Sequence, residues 1–267
     1  MLDQVKTIIA VASGKGGVGK STTAVNLALA LQAEGHKVGL LDADIYGPSI
    51  AMMLGVPDGQ RPDSPDGKSF MPVIAHGLET MSMGYLVTAN TPMAWRGPMA
   101  GGALQQILGQ TQWSDLDVLV VDMPPGTGDI QLTLAQKATV AGAVIVTTPQ
   151  DIALLDARKG IEMFTKVKIP VLGIVENMAV HICSNCGHED SIFGAGGGEK
   201  VAEQYQTQLL GSLPLDRSIR ERGDQGTPSV AADPDGDIAQ RYSGVARQVM
   251  AQLAAQTDES GPEIVFE

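Results

Sequence analysis

Residues 7–22 read TIIAVASGKGGVGKST, an apolar run of strand length followed directly by a glycine-rich loop. Residues 14–21 fit the pattern G-x-x-x-x-G-K-[ST], in which backbone N–H groups surround phosphate oxygens. In this pattern Lys20 places a positive charge at the β- and γ-phosphates, and the Ser21 hydroxyl is a ligand of Mg²⁺. The helix predicted after the loop directs the positive end of its dipole at the same phosphates. The stretch therefore predicts a strand, a nucleotide-phosphate loop and a helix.

A second lysine, Lys15, lies inside this loop. A glycine-rich turn favours small residues, so the backbone alone does not explain a lysine there. Its side chain is either a solvated loop lysine or a group that reaches the phosphates of a nucleotide held by a second copy of the chain. The residues expected to contact the nucleotide here are Gly14, Lys15, Gly16, Gly17, Val18, Gly19, Lys20, Ser21 and Thr22.

The chain alternates strand-like and helix-like patterns from end to end. The strand candidates are Thr7–Ser13, Lys37–Leu41, Leu116–Val121, Ala143–Thr148, Val171–Val175 and Leu209–Leu213. Helical patterns cover Ser21–Glu34, about Met99–Gly109 and Asp237–Ala255, and begin at Ile130 and Glu199. Continuous β-branched runs are typical of strands covered on both faces. The order predicts an α/β fold with a doubly wound, mainly parallel sheet, helices on both faces, and ligands at the carboxyl ends of the strands.

The length of 267 residues favours one domain, which we expect to span residues 1–256. Two segments interrupt the alternation. Residues 57–70 are rich in Pro, Asp and Gly and are predicted to form an exposed, mobile loop. Residues 179–198 carry both cysteines and a run of glycines, and are predicted to form a metal-binding loop. Residues 257–267 are expected to form an acidic tail.

Charge and hydropathy exclude several classes of protein. The net charge of −12 disfavours nucleic-acid binding, because proteins that bind nucleic acids neutralise phosphates with Lys and Arg. The N-terminus shows no secretory signal pattern, and no apolar run approaches the ~20 residues that span a bilayer. Two cysteines separated by two residues cannot staple a domain, and in the cytosol this spacing indicates metal or redox chemistry. We expect a cytoplasmic protein without a membrane or nucleic-acid partner.

Acidic residues follow two of the predicted strands. Asp42 and Asp44 come after the second strand, where two carboxylates can hold a Mg²⁺-bound water and orient the water that attacks a phosphate. Either one is alternatively a helix N-cap at the turn of residues 47–49. Asp122 ends an apolar strand, a pattern that delivers one carboxylate next to Mg²⁺. Ser21 and Asp122 are therefore predicted magnesium ligands, and one carboxylate of the pair Asp42 and Asp44 is expected to join them.

The sequence favours ATP over GTP. The guanine-specific pattern N-K-x-D does not occur in the chain. Asn177 follows a predicted strand, and its side-chain amide has both the donors and the acceptor needed to read the edge of adenine.

The cysteine pair, Cys183 and Cys186, lies between His181 and His188 and allows three readings. Zinc accepts two cysteines and two histidines, but four ligands from so short a segment of one chain are sterically tight. A redox-active pair is expected at a helix N-terminus, whereas this pair lies in a long glycine-rich segment. A [4Fe–4S] cluster needs four thiolates, which two copies of the chain together supply.

The loop GKGGVGKST at residues 14–22 resembles the K-G-G-x-x-K-[ST] signature of the deviant Walker A ATPases, a group that includes MinD, ParA and the nitrogenase iron protein. Members of this group are P-loop NTPases that work as nucleotide-sandwich dimers. The resemblance implies a homodimer in which Lys15 contacts the nucleotide of the partner subunit, as an arginine finger does. It also implies that Asp42 lies on the metal side and that Asp44 orients the attacking water. The catalytic residues implied are Lys15, Lys20 and Asp44, and the segment implied to face the base contains Pro214 and Asp216.

Several stretches together resemble one branch of that group. They are GKGGVGKST at 14–22, LDADIYGPS at 41–49, WRGP at 95–98, DMPPGTGD at 122–129, and ENM at 176–178 leading to CSNCG at 183–187. The chain is thus similar to the Mrp family of iron–sulfur cluster carrier ATPases, of the ApbC/NBP type. The resemblance implies a [4Fe–4S] cluster bridged between two subunits by Cys183 and Cys186, and its transfer to apo-proteins. Whether the purified protein contains zinc is left open. The Trp95-Arg96 segment either packs on the core or forms a surface for the dimer or for a client protein.

Two other functions compete with a cluster carrier. A MinD-like positional switch needs a basic amphipathic helix at its C-terminus, but the C-terminal residues here are acidic and broken by Pro262. A ParA-like switch needs a basic surface, which the net charge of −12 disfavours. The remaining alternative is an ATP-dependent metal-insertion chaperone or zinc-binding regulator, which shares the same nucleotide and cysteine chemistry.

Overall fold

The fold is built on one large sheet. The computed structural model describes residues 2–86, 97–126, 128–183 and 185–259. The strands are β1 (Val5–Ala12), β2 (Val38–Asp42), β3 (Val73–Ala75), β4 (Leu78–Ser82), β5 (Leu116–Asp122), β6 (Gly142–Thr147), β7 (Val171–Glu176), β8 (His181–Ile182), β9 (Glu189–Asp190) and β10 (Leu209–Ser212). The eight-stranded sheet has the order β10-β7-β6-β1-β5-β2-β4-β3, and β8 pairs with β9 in a separate two-stranded sheet.

Every pair of neighbours in the large sheet is parallel except β3 and β4, which are antiparallel. The helices are α1 (Lys20–Ala33), α2 (Ile50–Met53), α3 (Gly97–Gln110), α4 (Asp129–Lys137), α5 (Asp151–Lys166), α6 (Gly197–Gln204), α7 (Arg217–Asp224), α8 (Ser229–Ala232) and α9 (Asp237–Glu259). The predicted doubly wound, mainly parallel α/β fold is confirmed.

Helices cover both faces of the sheet because its strands are apolar on both faces. Ile8 and Ala10 of β1 belong to one hydrophobic core, which α3, α4, α5 and α6 complete. Ile9 and Val11 point the opposite way, into a second core that contains residues of α1, α2, α8 and α9. Helix α5 contributes an amphipathic stripe at three- and four-residue spacing, whereas α1 is buried continuously over residues 23–31. In α5 the buried residues are Ala153, Leu154, Ala157, Gly160, Ile161 and Phe164.

Several features of the fold differ from the sequence prediction. The hairpin of β3 and β4 was not expected, since a three-residue strand leaves no apolar run long enough to detect. Strands β2, β5 and β7 each include the polar residue that follows the apolar run, because the backbone ladder continues through Asp42, Asp122 and Glu176. Helix α9 extends to Glu259 and so passes the end predicted at Ala255. Helices α2, α5, α7 and α8 were also not predicted.

The predicted insertion at residues 57–70 is largely exposed, but its last residue is attached to the fold. The backbone N–H of Phe70 donates to the Gln110 carbonyl at 2.8 Å, and the Gln112 N–H donates to the Phe70 carbonyl at 2.9 Å. The predicted surface at Trp95-Arg96 and the tail beyond Glu259 lie outside the described residues. Within the described ranges, no helix has the length and apolar character needed to cross a membrane.

Helix α5 packs directly on the loop between β1 and α1. A Cβ atom added at Gly14 would overlap the backbone carbonyl of Asp156, whereas one added at Gly16 would meet nothing nearer than a Pro125 side-chain carbon at 4.0 Å. This close approach fixes the start of the glycine-rich loop against the core.

We therefore expect Gly14→Ala to lower the free energy of unfolding by about 1–3 kcal/mol, the usual range for overpacking. Gly16→Ala, the matched control in the same loop, is expected to change it by less than about 0.5 kcal/mol. Urea denaturation of the nucleotide-free protein measures both. Equal losses in the two variants would contradict the packing described here.

Candidate functional site

The loop between β1 and α1 forms an open cradle at the carboxyl end of the sheet. Gly17 and Gly19 both have φ of 84°, a conformation that residues with a side chain rarely adopt. Gly19 is the N-cap of α1, so the first N–H groups of that helix face the loop. The loop borders a cavity of about 220 Å³, which Asp44, Ser49 and Pro125 also line. This shape and the free N–H groups suit a phosphate group.

A buried ion pair lies at the base of the cradle. The Nζ atom of Lys20 is 2.6 Å from Asp122 Oδ1, donates to Ser21 Oγ at 3.1 Å, and lies 3.9 Å from Asp44 Oδ2. Asp122 is fully buried, and this burial raises the pKa of its carboxyl, an effect that the Lys20 charge opposes. The structure thus brings together four of the residues that the sequence assigned to nucleotide and metal.

The other oxygen of Asp122 shows that the site fits a divalent cation. Oδ2 is buried and has no hydrogen-bond partner among the described residues. A buried carboxylate oxygen without a partner is costly, and a metal ion or its bound water removes that cost. Together with the Ser21 hydroxyl it forms the all-oxygen donor set that Mg²⁺ prefers.

Asp42 holds the segment that follows β2. Its Oδ1 accepts from the Asp44 N–H at 3.1 Å, and its Oδ2 accepts from Ser49 N, Ile50 N and Ser82 Oγ at 3.1, 3.3 and 3.0 Å. Burial, and then the charge of Asp122, raises the pKa of Asp42 to about 7. Asp42 thus satisfies N–H groups at the start of α2, although the N-cap residue of that helix is Ser49. The role of Asp42 as a magnesium ligand stays a prediction.

Asp44 lies between two cavities. Its Oδ1 accepts from the Gly47 N–H at 3.3 Å, and burial raises the pKa of its carboxyl. It lines the 220 Å³ cavity and also a neighbouring cavity of about 540 Å³, whose walls include Tyr46, Pro125 and Gln131. A half-buried carboxylate in that place can accept a hydrogen bond from a water next to a bound phosphate.

Lys15 lines the same 220 Å³ cavity and is half-buried. Its backbone carbonyl accepts from the Ser13 hydroxyl at 2.9 Å, which fixes the loop rather than the side chain. Among the described residues its ammonium group has no ion pair. The side chain is therefore available to an anion, from either this copy or a second one.

The residues predicted to contact the base have structural partners in this conformation. Asn177 is buried, and its Nδ2 donates to the Val18 carbonyl at 2.9 Å, so this hydrogen bond holds the phosphate loop in place. Asp216 caps α7 by accepting from the Ser218 N–H at 2.7 Å, and Pro214 is buried. Their contacts with adenine stay predictions.

The cysteine pair lies in the tight turn between β8 and β9. The Cys183 N–H donates to the His188 carbonyl at 2.9 Å, and the Gly187 N–H donates to the Cys183 carbonyl at 2.8 Å. The backbone N–H groups of Asn185 and then Cys186 donate to the Cys183 sulfur, and these bonds lower the pKa of the Cys183 thiol. Cys183 is half-buried and Cys186 is exposed. Such a turn stabilises a thiolate and presents it at the surface.

The flanking histidines do not complete a metal site in this structure. The Nδ1 atom of His181 lies 3.1 Å from the Leu215 carbonyl oxygen, and His188 is exposed. Within the part of the chain that is described, no three His, Cys, Asp or Glu side chains are grouped closely enough to hold a metal. The intrachain zinc site with two cysteines and two histidines is therefore not assembled here, and one chain presents two thiols.

Two residues at this end of the sheet were missed by the sequence analysis. Glu176 is buried, and its Oε1 accepts from the Gly198 N–H at 2.7 Å. Ser82 donates to Asp42 from β4, a strand that was not predicted. The one available signal was the carboxylate of Glu176 at the end of an apolar strand.

Comparison with known proteins agrees with this geometry. A family model described as the NUBPL iron-transfer P-loop NTPase, of the ParA type, matches residues 4–250. A protein of Escherichia coli strain K12, named iron-sulfur cluster carrier protein, is 64% identical over 265 residues, which are 99% of this chain and 72% of that protein. A protein of Mus musculus, named iron-sulfur cluster transfer protein NUBPL, is 50% identical over 264 residues, which are 98% and 81% of the two chains.

Solved structures extend the likeness to the fold. A nucleotide-binding protein from Archaeoglobus fulgidus, solved in complex with ADP, has a TM-score of 0.77 and 37% identity over 90% of this chain and 93% of that chain. The cell division ATPase MinD from Pyrococcus furiosus has a TM-score of 0.68 and 23% identity over 92% and 99% of the two chains, a likeness of fold alone. With the family model covering most of its length, the chain belongs to the NUBPL iron-transfer P-loop NTPase family.

Proposed function

We propose that this chain is an ATP-hydrolysing iron–sulfur cluster carrier. Two copies hold a [4Fe–4S] cluster between them as cargo and transfer it to apo-proteins. Relatives that are 50–66% identical and named as cluster carrier or transfer proteins support this function. We further infer that residues 1–256 act as one nucleotide-binding domain.

The observation that carries the proposal is the geometry of the cysteine turn. Cys183 and Cys186 lie in one turn whose N–H groups stabilise a thiolate, and no third protein ligand is grouped with them in the described ranges. A [4Fe–4S] cluster takes four thiolates, so two such turns make one complete ligand set. The exposure of Cys186 also leaves the cargo open to ligand exchange with an acceptor protein.

The nucleotide half of the site supports ATP hydrolysis by the following roles. The glycine-rich loop binds the phosphates, and Lys20 moves its charge from Asp122 to the β- and γ-phosphates. Ser21 and Asp122 would hold Mg²⁺, directly or through water, and the ion neutralises charge on the phosphate oxygens when it is bound. Asp44 orients the attacking water, and Asp42 keeps Asp44 in place through the bond to its N–H.

We infer that the second copy supplies a positive charge through Lys15. The cavity beside the phosphate loop is lined by Lys15, which is half-buried and has no ion pair within the described ranges. A sandwich of two copies would bring each Lys15 to the nucleotide of the other. The same arrangement brings the two cysteine turns into one assembly. One dimer thus completes both the nucleotide site and the set of four thiolates.

Removal of either loop lysine tests the nucleotide roles. We expect Lys15→Ala and Lys20→Ala each to lower kcat for ATP hydrolysis by about 10²–10³-fold, the cost of removing one preorganised donor. Lys159→Ala, which removes an exposed lysine paired with Asp156, is the control and is expected to keep the wild-type rate. A steady-state phosphate-release assay measures all three variants.

Mixing the two inactive variants tests whether Lys15 acts across the dimer. In a mixed dimer, the intact Lys20 site of the Lys15→Ala subunit receives Lys15 from the Lys20→Ala subunit. We therefore expect the mixture to recover a measurable part of the wild-type rate. Two inactive variants that stay inactive together, while still forming mixed dimers, would rule out a role for Lys15 in trans.

Anaerobic reconstitution with iron and sulfide tests the cargo. We expect a broad visible absorbance and about two irons per chain, because two chains share four irons. Cys183→Ala and Cys186→Ala are expected to abolish both signals, whereas His188→Ala, a substitution in the same turn, retains them. Absorbance and iron analysis make the measurement.

The opposite pattern would favour the zinc reading. A colourless protein that holds one zinc per chain, and that loses it in His188→Ala as readily as in Cys186→Ala, would exclude the shared cluster.

A further inference from the structure

The N-terminal end of the cysteine-bearing segment, residues 179–198, is hydrogen-bonded to the segment predicted to face the base. The Ala179 N–H donates to the Leu213 carbonyl at 2.9 Å. Two residues on, the Nδ1 atom of His181 lies 3.1 Å from the Leu215 carbonyl oxygen. This end of the segment is therefore held next to the residues predicted to contact the base.

Glu176 holds the C-terminal end of the segment by a hydrogen bond. Its Oε1 accepts from the N–H of Gly198 at 2.7 Å, and its backbone carbonyl accepts from the Leu213 N–H at 2.9 Å. A Cβ atom at Gly198 would lie 3.1 Å from Glu176 Cβ and 3.3 Å from Oε1, so the contact has little free space. Glu176 is 4% exposed and has no role in the proposed chemistry. Because Glu176 lies at the end of β7, just before residue 179, its bond to Gly198 brings the two ends of the segment together.

The next residue, Asn177, touches the phosphate loop. Its Nδ2 donates to the Val18 carbonyl at 2.9 Å, and a Cβ atom at Gly19 would overlap the same amide nitrogen. The Asn177 N–H is held by the Thr147 carbonyl at 2.8 Å. One planar peptide bond joins Asn177 to Glu176, so a displacement of the loop at Val18 reaches Gly198 through two hydrogen bonds and two adjacent residues.

We propose that Glu176 and Asn177 are positioning residues that couple the phosphate loop to the cysteine-bearing segment, so that nucleotide binding changes the reactivity of Cys183 and Cys186. This coupling rests on the proposed function, for which it supplies the physical connection between ATP and cargo. Coupling between two sites is reciprocal, so cargo binding changes nucleotide affinity by the same factor.

Alkylation of the metal-free thiols by iodoacetamide tests the coupling. The rate is measured with Mg²⁺ alone, with saturating ADP and with a saturating non-hydrolysable ATP analogue. For the wild-type protein we expect at least one nucleotide to change the rate by about fivefold or more, the lower range of allosteric coupling. Glu176→Leu removes the acceptor for Gly198 at similar volume and is expected to abolish this nucleotide effect. Glu176→Gln keeps an acceptor oxygen and is expected to retain it.

Two results would overturn the proposal: thiols of the wild-type protein that do not respond to nucleotide, or a Glu176→Leu variant with the full wild-type response. If Glu176→Leu fails to fold or to bind nucleotide, Gly198→Ala replaces it, because its Cβ presses on the same contact. Melting curves and nucleotide titrations show which variant is usable. A merely structural role of Glu176 would change stability but would leave the response to nucleotide intact.

The experiment separates this proposal from the proposed function. Wild-type protein that binds the cluster and hydrolyses ATP, but whose thiols ignore nucleotide, refutes the coupling alone. Thiols that respond to nucleotide in a protein unable to bind the cluster refute the carrier function and leave the coupling standing.

Discussion

One ammonium group among three carboxylates determines how this site is built. Lys20 pairs with Asp122 at 2.6 Å and lies 3.9 Å from Asp44, while Asp42 is buried beside them. Burial raises the pKa of each of the three carboxyls, and at Asp42 and Asp122 repulsion from a neighbouring carboxylate adds to the rise. Three carboxylates beside one ammonium group leave an excess of negative charge. Phosphates would add to that excess. A divalent cation would offset that excess when a nucleotide binds, and in the function proposed above Lys15 of a second copy adds further positive charge.

The same shortage of positive charge explains why the segment after β2 is so firmly held. A buried carboxylate that has no cation must be satisfied by hydrogen bonds. Asp42 therefore collects donors from its own segment, at Asp44, Ser49 and Ile50, and from Ser82 on the next strand. The segment takes its shape from these bonds, and any rearrangement on metal binding has to exchange them for new ones.

Much of the architecture could be predicted because its signals are local. The strand, glycine-rich loop and helix at residues 7–22 follow from adjacent residues, and the apolar runs locate the parallel strands. The hairpin of β3 and β4 could not be predicted, since three residues carry no periodicity. Contacts between distant segments were also invisible: Asn177 reaches Val18, and Ser82 reaches Asp42, only after the sheet has assembled. For Asn177 and Asp42 the sequence therefore located the residues at the site but not the partners they have in this conformation.

Sheet topology explains how two motifs far apart in the sequence come to share a neighbourhood. β1 lies next to β6, and β6 lies next to β7, so the phosphate loop and the cysteine-bearing segment leave the same edge of the sheet two strands apart. The hydrogen bond from the Asn177 N–H to the Thr147 carbonyl joins the end of β7 to the end of β6, the strand between them.

The turn that stabilises a thiolate at Cys183 also leaves it vulnerable. Its N–H bonds lower the pKa of the thiol, and the neighbouring Cys186 is exposed at the surface. Thiolate character and solvent access are the two properties that govern oxidation of cysteine, and a second thiol in the same turn can resolve a sulfenic acid to a disulfide. Oxidation of the metal-free protein by air would therefore remove the two thiols that hold the cargo in the function proposed above. A reducing environment is thus a requirement of the same geometry that makes the pair a good ligand.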